Sequence, residues 1–340
     1  MTRAKLTATL IVAAALSWPA YSQGVPGIDP PVLYPVLRDG KWGYMDHTSK
    51  LIIEPQYQAA EPFSEGLAAV EQDSKWGYVG TNGHRVIGAQ FDKAGEFHDG
   101  LARVYKHELL GGKYGFINPQ GQLVVEYHYS EAGEFSQGLA RVELDGKWGY
   151  IDKTGRMTIE PQFNEAADFS DGLAMVKSGG AWLGKCGYID ASGKMKINPR
   201  YSKGGSFSEG LAPVEVDGKW GYIDKNDKMV IEPQFQTAEA FADKCARVKV
   251  GGKYGFIDRS GKLVVNARYD EARDFREGLA AVRENGKWGY IDHDGKIVID
   301  ARFDNAGDFE HGLAEVHVGK PSGKLGWIDK SGQYLWQPST

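Results

Sequence analysis

The chain of 340 residues lacks the short motifs that mark the common classes of enzyme. It has no Gly-rich phosphate loop and no nucleophile elbow, and its eight histidines form neither a His-x-x-x-His pair nor a Cys/His cluster with zinc spacing. Aspartates such as Asp152 and Asp190 recur, but at positions where a turn favours Asp. We therefore expect no catalytic residue, no cofactor and no metal site, and predict that the chain is not an enzyme.

Long apolar runs are also absent, apart from one near the N-terminus. Residues 1–22 begin with Arg3 and Lys5, continue through the apolar run from Leu6 to Trp18, and end with small residues at Ala20 and Ser22. This pattern is typical of a secretory signal peptide, because about 13 apolar residues are too few for a membrane anchor. No Cys follows the run, so no lipid anchor is expected. The sequence predicts a signal peptide over 1–22, a linker over 23–32, and a periplasmic or secreted protein.

Clusters of basic residues are missing as well. The formal net charge is −5, and removing Arg3 and Lys5 with the signal peptide takes it to −7. A mildly acidic surface disfavours nucleic acid and anionic membranes as partners. We expect no nucleic-acid partner and no peripheral membrane contact.

What the chain does contain is one pattern repeated nine times. The stretch from Asp145 to Asp152, D-G-K-W-G-Y-I-D, recurs with one constant interval in five of eight steps, as from Trp42 to Trp76, and with slightly longer intervals in the other three. A fixed period of this size is typical of a repeat array, in which each unit buries its apolar face against its neighbours. The key ring position is held by Trp42, Trp76, Tyr114, Trp148, Cys186, Trp220, Tyr254 and Trp288, and the ninth copy has Leu325 there with Trp327 two places later.

One unit reads as a three-stranded antiparallel meander. Asp145-Gly146 predicts a two-residue hairpin turn in which both residues have positive φ, and Asp152 to Gly155 predicts a type I turn. The third strand is expected to end at Pro161, which cannot donate to a ladder. Aromatic residues six apart, such as Phe163 and Phe169, predict a short 3₁₀ or helical connector that seals one unit against the next.

The two cysteines fall at core positions of this pattern. Cys186 stands where most copies have Trp or Tyr, and Cys245 stands where others have Leu. An exported protein could pair them, but they lie two units apart. We expect buried free thiols that pack as small hydrophobic residues, with a disulfide as the alternative.

The repeated motifs resemble the WG-repeat family, named for its Trp-Gly pair. The resemblance covers residues 33–338 and is carried by K-W-G-Y-I-D at 147–152 and 219–224, E-P-Q-F at 160–163 and 232–235, and F-S-E-G-L-A at 63–68 and 207–212. Cys186, Leu325 with Trp327, and Asp243 to Cys245 depart from the pattern, so packing is expected to differ there. The family implies a repetitive β architecture with a binding or scaffolding role, and it supplies no catalytic residue set.

The fold class is therefore all-β, a tandem array of about nine three-stranded meanders. The first unit has its own opening strand and the last finishes its own third strand, so the array starts and stops on whole units. This favours an open, curved or superhelical stack, and a closed propeller-like ring is the alternative.

Two surfaces are candidates for binding. The three long intervals place their extra residues at the first hairpin tip, where Leu109, Leu110, Trp182 and Leu183 are more apolar than a turn requires. These four residues are our candidate partner contacts, and packing on a neighbouring unit is the alternative. The second surface is the row of Trp and Tyr rings, which would suit sugar stacking if exposed but which we expect to form the core.

The function expected from these features is an exported, non-catalytic repeat scaffold that binds a protein or a component of the cell envelope. A glycan-binding or cell-wall-binding protein that uses the aromatic rows is the alternative. A hydrolase of envelope polymer, with acid residues at variable positions, is a weaker one.

Overall fold

A computed structural model describes residues 32–107, 111–179, 184–319 and 323–339, and all regular structure within these ranges is β-strand. No helix in these ranges is long and apolar enough to cross a membrane. The strands form nine small antiparallel sheets that follow one another along the chain, each strand pairing with the next in sequence. We call each sheet a blade.

Blades 1 to 3 comprise β1 (Tyr34–Arg38), β2 (Lys41–Met45), β3 (Leu51–Tyr57); β4 (Ala59–Ala60), β5 (Leu67–Gln72), β6 (Lys75–Gly80), β7 (Arg85–Phe91); β8 (Lys93–His98), β9 (Leu101–Lys106), β10 (Lys113–Ile117), β11 (Leu123–Tyr129). Blades 4 to 6 comprise β12 (Glu131–Ala132), β13 (Leu139–Leu144), β14 (Lys147–Asp152), β15 (Met157–Phe163); β16 (Glu165–Ala166), β17 (Ala174–Ser178), β18 (Lys185–Ile189), β19 (Met195–Tyr201); β20 (Lys203–Gly204), β21 (Leu211–Val216), β22 (Lys219–Asp224), β23 (Met229–Phe235). Blades 7 to 9 comprise β24 (Thr237–Ala238), β25 (Ala246–Val250), β26 (Lys253–Ile257), β27 (Leu263–Tyr269); β28 (Glu271–Ala272), β29 (Ala280–Glu284), β30 (Lys287–Ile291), β31 (Ile297–Phe303); β32 (Asn305–Glu310), β33 (Leu313–Val318), β34 (Lys324–Asp329), β35 (Tyr334–Ser339).

Both predicted turns are present in blade 4. Asp145 and Gly146 have φ values of 50° and 73°, as a type I′ hairpin requires. In the next turn the Asp152 carboxylate accepts hydrogen bonds from Thr154 N at 2.9 Å and from Arg156 N at 3.1 Å. The Thr154 hydroxyl donates to the same Asp152 oxygen, which lowers the pKa of Asp152. The recurring aspartates that end the W-G-Y strand are thus turn residues.

The third strand does not end at Pro161 as predicted. Strand β15 continues to Phe163, with Trp148 opposite Phe163 and Tyr150 opposite Ile159, so the strand carries extra residues at this point. The proline lies within this bulge, where no ladder hydrogen bond is needed. A Cβ on Gly149 would lie 2.7 Å from Pro161 N and closer still to Ile159 O. The Gly of the Trp-Gly pair therefore leaves room for the backbone of the bulged strand to pass close to it.

The connector is a bulged β-strand, and the predicted 3₁₀ or helical turn is wrong. In blade 5, Ala166 pairs with Val176, and Ala167 N donates to Met175 O at 2.9 Å. In blade 9 the same bulge lies between Ala306 and Phe309. Inward side chains of a strand are normally two residues apart, and one extra residue makes this interval three. The interval of three in the sequence was therefore the same as that expected for a helical turn. This strand adds a fourth strand to every meander after blade 1.

The hydrophobic cores lie between adjacent blades. A representative cluster joins Tyr150, Ile159 and Phe163 of blade 4 to Phe169 and Val176 of blade 5. The rings of Tyr150 and Phe169 meet edge to face with centroids 4.9 Å apart. The predicted sealing of one unit against the next by aromatic residues is confirmed.

Contacts between the first and last blades close the array into a ring. One buried cluster contains Tyr34, Val36 and Met45 together with Leu325, Trp327 and Trp336. The buried Trp327 Nε1 donates to Pro35 O at 2.7 Å. The chain is a nine-bladed ring, so the closed alternative is correct and the open stack is wrong. The whole units at both ends predicted an open stack on the assumption that a closed ring needs one sheet built from both ends of the array. Here side-chain packing between blades 1 and 9 closes the ring instead.

Candidate functional site: the clamps between blades and two cavities

The rings of the repeat motif divide into buried and partly exposed sets. The second aromatic position of the motif is fully buried, with Tyr150 at 0% exposure, and its hydroxyl donates to Ala167 O at 2.7 Å. The key Trp position lies beside the hairpin turn, where the blade meets solvent. The expectation that the Trp and Tyr rows form the core is right for Tyr44, Tyr78, Tyr150, Tyr222, Trp288 and Tyr290, whereas Trp42, Trp76, Trp148 and Trp220 are partly exposed. At the remaining key positions of the repeat, Cys186 and Leu325 are buried, as is Trp327, and Tyr114 and Tyr254 are partly exposed.

A repeated group of three side chains clamps neighbouring blades together. In blade 4 the guanidinium of Arg141 lies over the Trp148 ring, 5.1 Å from its centroid, and forms an ion pair of 2.9 Å with Asp168 of blade 5. Its Nη1 also donates to Ala166 O at 2.6 Å. The ring holds the cation while the next blade supplies the carboxylate, so each clamp depends on two blades being in register.

Two further clamps repeat this geometry. Arg103 lies over Tyr114 at 5.2 Å and pairs with Glu134 at 3.2 Å. Arg247 lies over Tyr254 at 5.5 Å and pairs with Asp274 at 3.0 Å. Sequence reasoning missed the clamps, although Arg in L-A-R-V and an acidic residue before the connector Phe were visible. Blades 2, 5, 6, 8 and 9 carry at the Arg position Ala69, Met175, Pro213, Ala281 and Glu315.

A cavity of about 560 Å³ lies at the ring axis. It is bordered by residues of four successive blades, from blade 3 to blade 6, and the polar side chains lining it are those of His98, Glu134, Ser136, Arg141, Asp168, Ser170 and Ser206. Glu96 of blade 3 and Glu310 of blade 9 also lie close enough to influence each other, although blades 1 and 2 separate them around the ring. Side chains that meet across two intervening blades must project toward the axis.

The axial carboxyl groups hold their protons more tightly than usual. Burial raises the pKa of Glu134, and the nearby carboxylates of Asp168 and Glu96 raise it further against the opposing effect of Arg103. Burial likewise raises the pKa of Glu96. Glu134 Oε2 is buried without a hydrogen-bond partner in the described part of the chain. These groups therefore change charge at a higher pH than exposed carboxylates do.

A second cavity, of about 720 Å³, lies between blades 7, 8 and 9, and we call it the blade-8 groove. Its lining consists of Arg247, Tyr254, Glu271, Ala272, Arg273, Asp274, Arg283, Trp288, Asp304, Asn305 and Asp308. A smaller cavity of about 260 Å³ between blades 2 and 3 has related walls, including Trp76, Arg103 and Tyr114. Related walls thus occur at two places in the ring, and the blade-8 groove is the larger of the two cavities.

The predicted partner contacts Leu109, Leu110, Trp182 and Leu183 lie outside the described residues and stay predictions. The bases of two of the three extended tips are described. His107 N donates to Asp92 Oδ2 at 2.7 Å, and Gly319 N donates to Asp304 Oδ2 at 2.8 Å. Because Asp92 and Asp304 belong to the connectors, the described bases of these two tips lie on the ring face that carries the connectors. Asp304 also lines the blade-8 groove, so Gly319, at the base of the blade-9 tip, adjoins this cavity.

The cysteines and the histidines have structural surroundings. Cys186 and Cys245 are buried free thiols, as expected, and burial raises the pKa of Cys245 to about 11. The His293 ring stacks on Phe275 with centroids 4.2 Å apart. His317 contacts Glu315 at 2.6 Å, and that hydrogen bond raises the pKa of His317. Across the described ranges, no group of three or more His, Cys, Asp or Glu side chains could hold a metal ion.

Comparison with known proteins agrees with this architecture. A family model described as WG containing repeat matches residues 42–76, 76–109, 114–148, 148–182, 187–220, 220–254, 254–288 and 288–320. No curated protein sequence matches the chain. Among solved structures, the chain is similar to the crystal structure of a eukaryotic initiation factor, with a TM-score of 0.64 and 12% identity over 91% of this chain and 97% of that one. At this identity the likeness shows the fold alone.

A second solved structure, Kluyveromyces lactis Hsv2, matches with a TM-score of 0.42 and 9% identity over 79% of this chain and 94% of that one. The eight tandem matches span the array from blade 1 to blade 9. This chain therefore belongs to the WG containing repeat family, as a ring-shaped, β-propeller-like repeat protein.

Proposed function

We propose that the chain is an exported, non-catalytic scaffold that binds a protein or another component of the cell envelope. The observation that carries this proposal is that the blade structure repeats while the side chains at certain positions differ from blade to blade. Arg103 of blade 3 and Arg141 of blade 4 make the same clamp, whereas Met175 and Pro213 stand at the equivalent place in blades 5 and 6. A preorganised surface whose side chains differ from blade to blade provides specificity at low entropic cost.

The connector face is the proposed docking face. His107 and Gly319, at the bases of two extended tips, lie on it beside Asp92 and Asp304. In the sequence, the tips of blades 3 and 5 carry Leu109, Leu110, Trp182 and Leu183. Apolar residues on projecting tips are a common way for a repeat array to present a binding surface.

A non-catalytic role is supported by how the axial carboxylates are used. Glu134 pairs with Arg103 at 3.2 Å and Asp168 pairs with Arg141 at 2.9 Å, so each carboxylate joins two blades. The weaker alternative, an envelope-polymer hydrolase, would use the raised pKa of Glu134 for a general acid. Incubation of the purified protein with envelope polymer separates the two. Release of soluble product that Glu134→Gln abolishes would establish the hydrolase.

Export is supported by the apolar segment within residues 1–22. Mass spectrometry of the protein from its native cell is expected to find an N-terminus close to Gln23, in the periplasmic or the secreted fraction. Retention of Met1 in a cytoplasmic fraction would contradict this part of the proposal.

Glycan binding is the second candidate, because four motif indoles are partly exposed. Trp42, Trp76, Trp148 and Trp220 could stack on sugar rings, although Arg141 already covers one face of Trp148. A peptidoglycan pull-down with wild type and Trp76→Ala tests this function. Retention that the substitution abolishes would favour the glycan over a protein partner.

The deciding experiment is affinity capture from the native envelope with the mature chain as bait. We expect a saturable protein partner that the triple variant Leu109→Ala, Leu110→Ala, Trp182→Ala loses, while its denaturation midpoint stays close to that of wild type. A matched triple variant with exposed second-turn residues Lys153, Arg156 and Lys194 changed to Ala should still capture it. Capture of no saturable partner by wild type would refute the proposal.

A further inference from the structure

The blade-8 groove differs from the equivalent position in other blades by two added arginines. Arg273 stands where blades 2 to 4 have Glu61, Gly95 and Gly133. Arg283 stands where most other blades have Glu, Lys or Tyr, and both guanidinium groups line the cavity of about 720 Å³. The other blades form the same sheet without these arginines, so the blade structure does not require them.

Two of the three arginines in the groove are already neutralised. Arg247 pairs with Asp274 at 3.0 Å and with Glu239 at 3.7 Å. Arg283 pairs with Glu271. Glu239, Asp274 and Glu271 are thus engaged by Arg247 and Arg283.

Arg273 has no such partner. Its guanidinium lies over the Trp288 ring, 5.7 Å from the centroid, and no carboxylate of the described residues forms an ion pair with it. Its Nε is buried without a hydrogen-bond partner within the described ranges, and so is Asp308 Oδ1 in the same groove. A partly buried guanidinium that lacks a carboxylate loses hydration without full compensation, which a ligand with two acceptor oxygens would restore.

We propose that the blade-8 groove binds a carboxylate of a protein partner, held by the planar fork of Arg273 beside Asp308. This inference rests on the proposed scaffold function and names the group that the scaffold recognises. Gly319 on the connector face donates to Asp304 of the groove, so a partner on that face can reach Arg273.

The charges around the groove favour a carboxylate over a phosphate. Glu271, Asp274, Asp304 and Asp308 line it, and a dianion would meet more repulsion from them than a single carboxylate does. Burial raises the pKa of Asp308 against the opposing effect of Arg273.

A peptide fits the groove better than an acidic sugar. The two rings in the walls, Tyr254 and Trp288, carry Arg247 and Arg273 over their faces at 5.5 and 5.7 Å. Trp288 is also buried, with 6% exposure, so it offers little ring surface to a pyranose, whereas an extended peptide needs only hydrogen bonds and space.

The test is calorimetric titration of the mature chain with four probes. These are acetylated tetra-alanine with a free C-terminus, the same peptide as its amide, an amidated peptide with one internal Glu, and glucuronic acid. We expect at least one carboxylate peptide to bind and the tetra-alanine amide not to bind. Arg273→Gln should weaken binding about tenfold or more, because a charge-assisted bidentate contact is lost.

Two further variants keep the test decisive. Arg273→Lys preserves the charge but not the fork, so it is expected to recover only part of the affinity. Arg156→Gln is the matched control, since its side chain is 77% exposed on a turn of blade 4, and it should bind as wild type does. Circular dichroism and the denaturation midpoint verify that each variant is folded.

Several results would overturn the inference: equal binding of acid and amide, wild-type affinity in folded Arg273→Gln, binding of glucuronic acid but no peptide, or no binding of any probe. Envelope capture separates this inference from the proposed function. A partner captured equally well by Arg273→Gln leaves the scaffold function standing and refutes the groove. Peptide binding that depends on Arg273, with no captured partner, leaves the groove standing and refutes the scaffold function.

Discussion

The glycine of the Trp-Gly pair gives the sharpest test of the blade geometry. In blade 2, a Cβ placed on Gly77 would lie 2.5 Å from Ile87 O and 2.8 Å from Ala89 N, both backbone atoms of the bulged outer strand. Because carbon–oxygen contacts are normally about 3.3 Å or longer, the bulge would have to move by about 0.8 Å. Both strands are held by the ladder and by the core between blades, so this movement breaks packing that other blades repeat.

The expected cost of Gly77→Ala is about 3 kcal/mol, at the upper end of the range for overpacked sites, because the obstruction is backbone and cannot rotate away. Gly88→Ala is the matched control. Gly88 lies on the strand that faces Gly77, its φ is not positive, and a Cβ there would meet nothing within 4 Å. Its free energy of unfolding should therefore stay within about 0.5 kcal/mol of wild type or rise slightly.

Urea denaturation followed by tryptophan fluorescence measures both variants, with the midpoint and slope fitted for each. The reasoning about the bulge is refuted if Gly77→Ala unfolds within about 0.5 kcal/mol of wild type. It is equally refuted if Gly88→Ala costs as much as Gly77→Ala.

Three further predictions concern ring closure, the buried tyrosines and the axis. Trp327→Ala should cost about 3–5 kcal/mol in denaturation, since it empties the closure cluster, and the partly exposed Trp220→Ala should cost clearly less. Tyr150→Phe should cost about 1 kcal/mol because Ala167 O loses its donor, and an unchanged midpoint would contradict this. The folded pKa of Glu134 is raised above its unfolded value of about 4.3, so wild type loses stability from this group as pH rises through the folded pKa. The stability of Glu134→Gln relative to wild type should therefore increase from pH 4.5 to pH 7.5, and a difference that is independent of pH would contradict the assignment.

The turns and the repeat could be predicted because each depends on a few neighbouring residues. Asp145-Gly146 requires two positive φ values and Asp152 requires two nearby backbone N–H groups, and both requirements are visible in four or five letters of sequence. The free, buried state of Cys186 followed from its place in the pattern. Such local signals do not depend on how the units stack.

The connector, the clamps and the ring depend on contacts between units. Spacing alone could not distinguish a bulged strand at Ala166 to Phe169 from a helical turn, because both place inward side chains three apart. Arg141 and Asp168 belong to successive repeats and meet only because one blade overlies the next. Trp327 was visible as a departure from the motif, but its role in closure follows from the summed rotation of nine blades.

Small-angle X-ray scattering of the mature chain in solution tests the closed ring most directly. A compact ring of this length should have a radius of gyration of about 20 Å. An open stack of nine sheets spaced about 10 Å apart would extend to about 90 Å and give a radius of gyration of about 26 Å or more. The smaller radius is the predicted result, and a radius as large as that of the open stack would show that blades 1 and 9 do not meet.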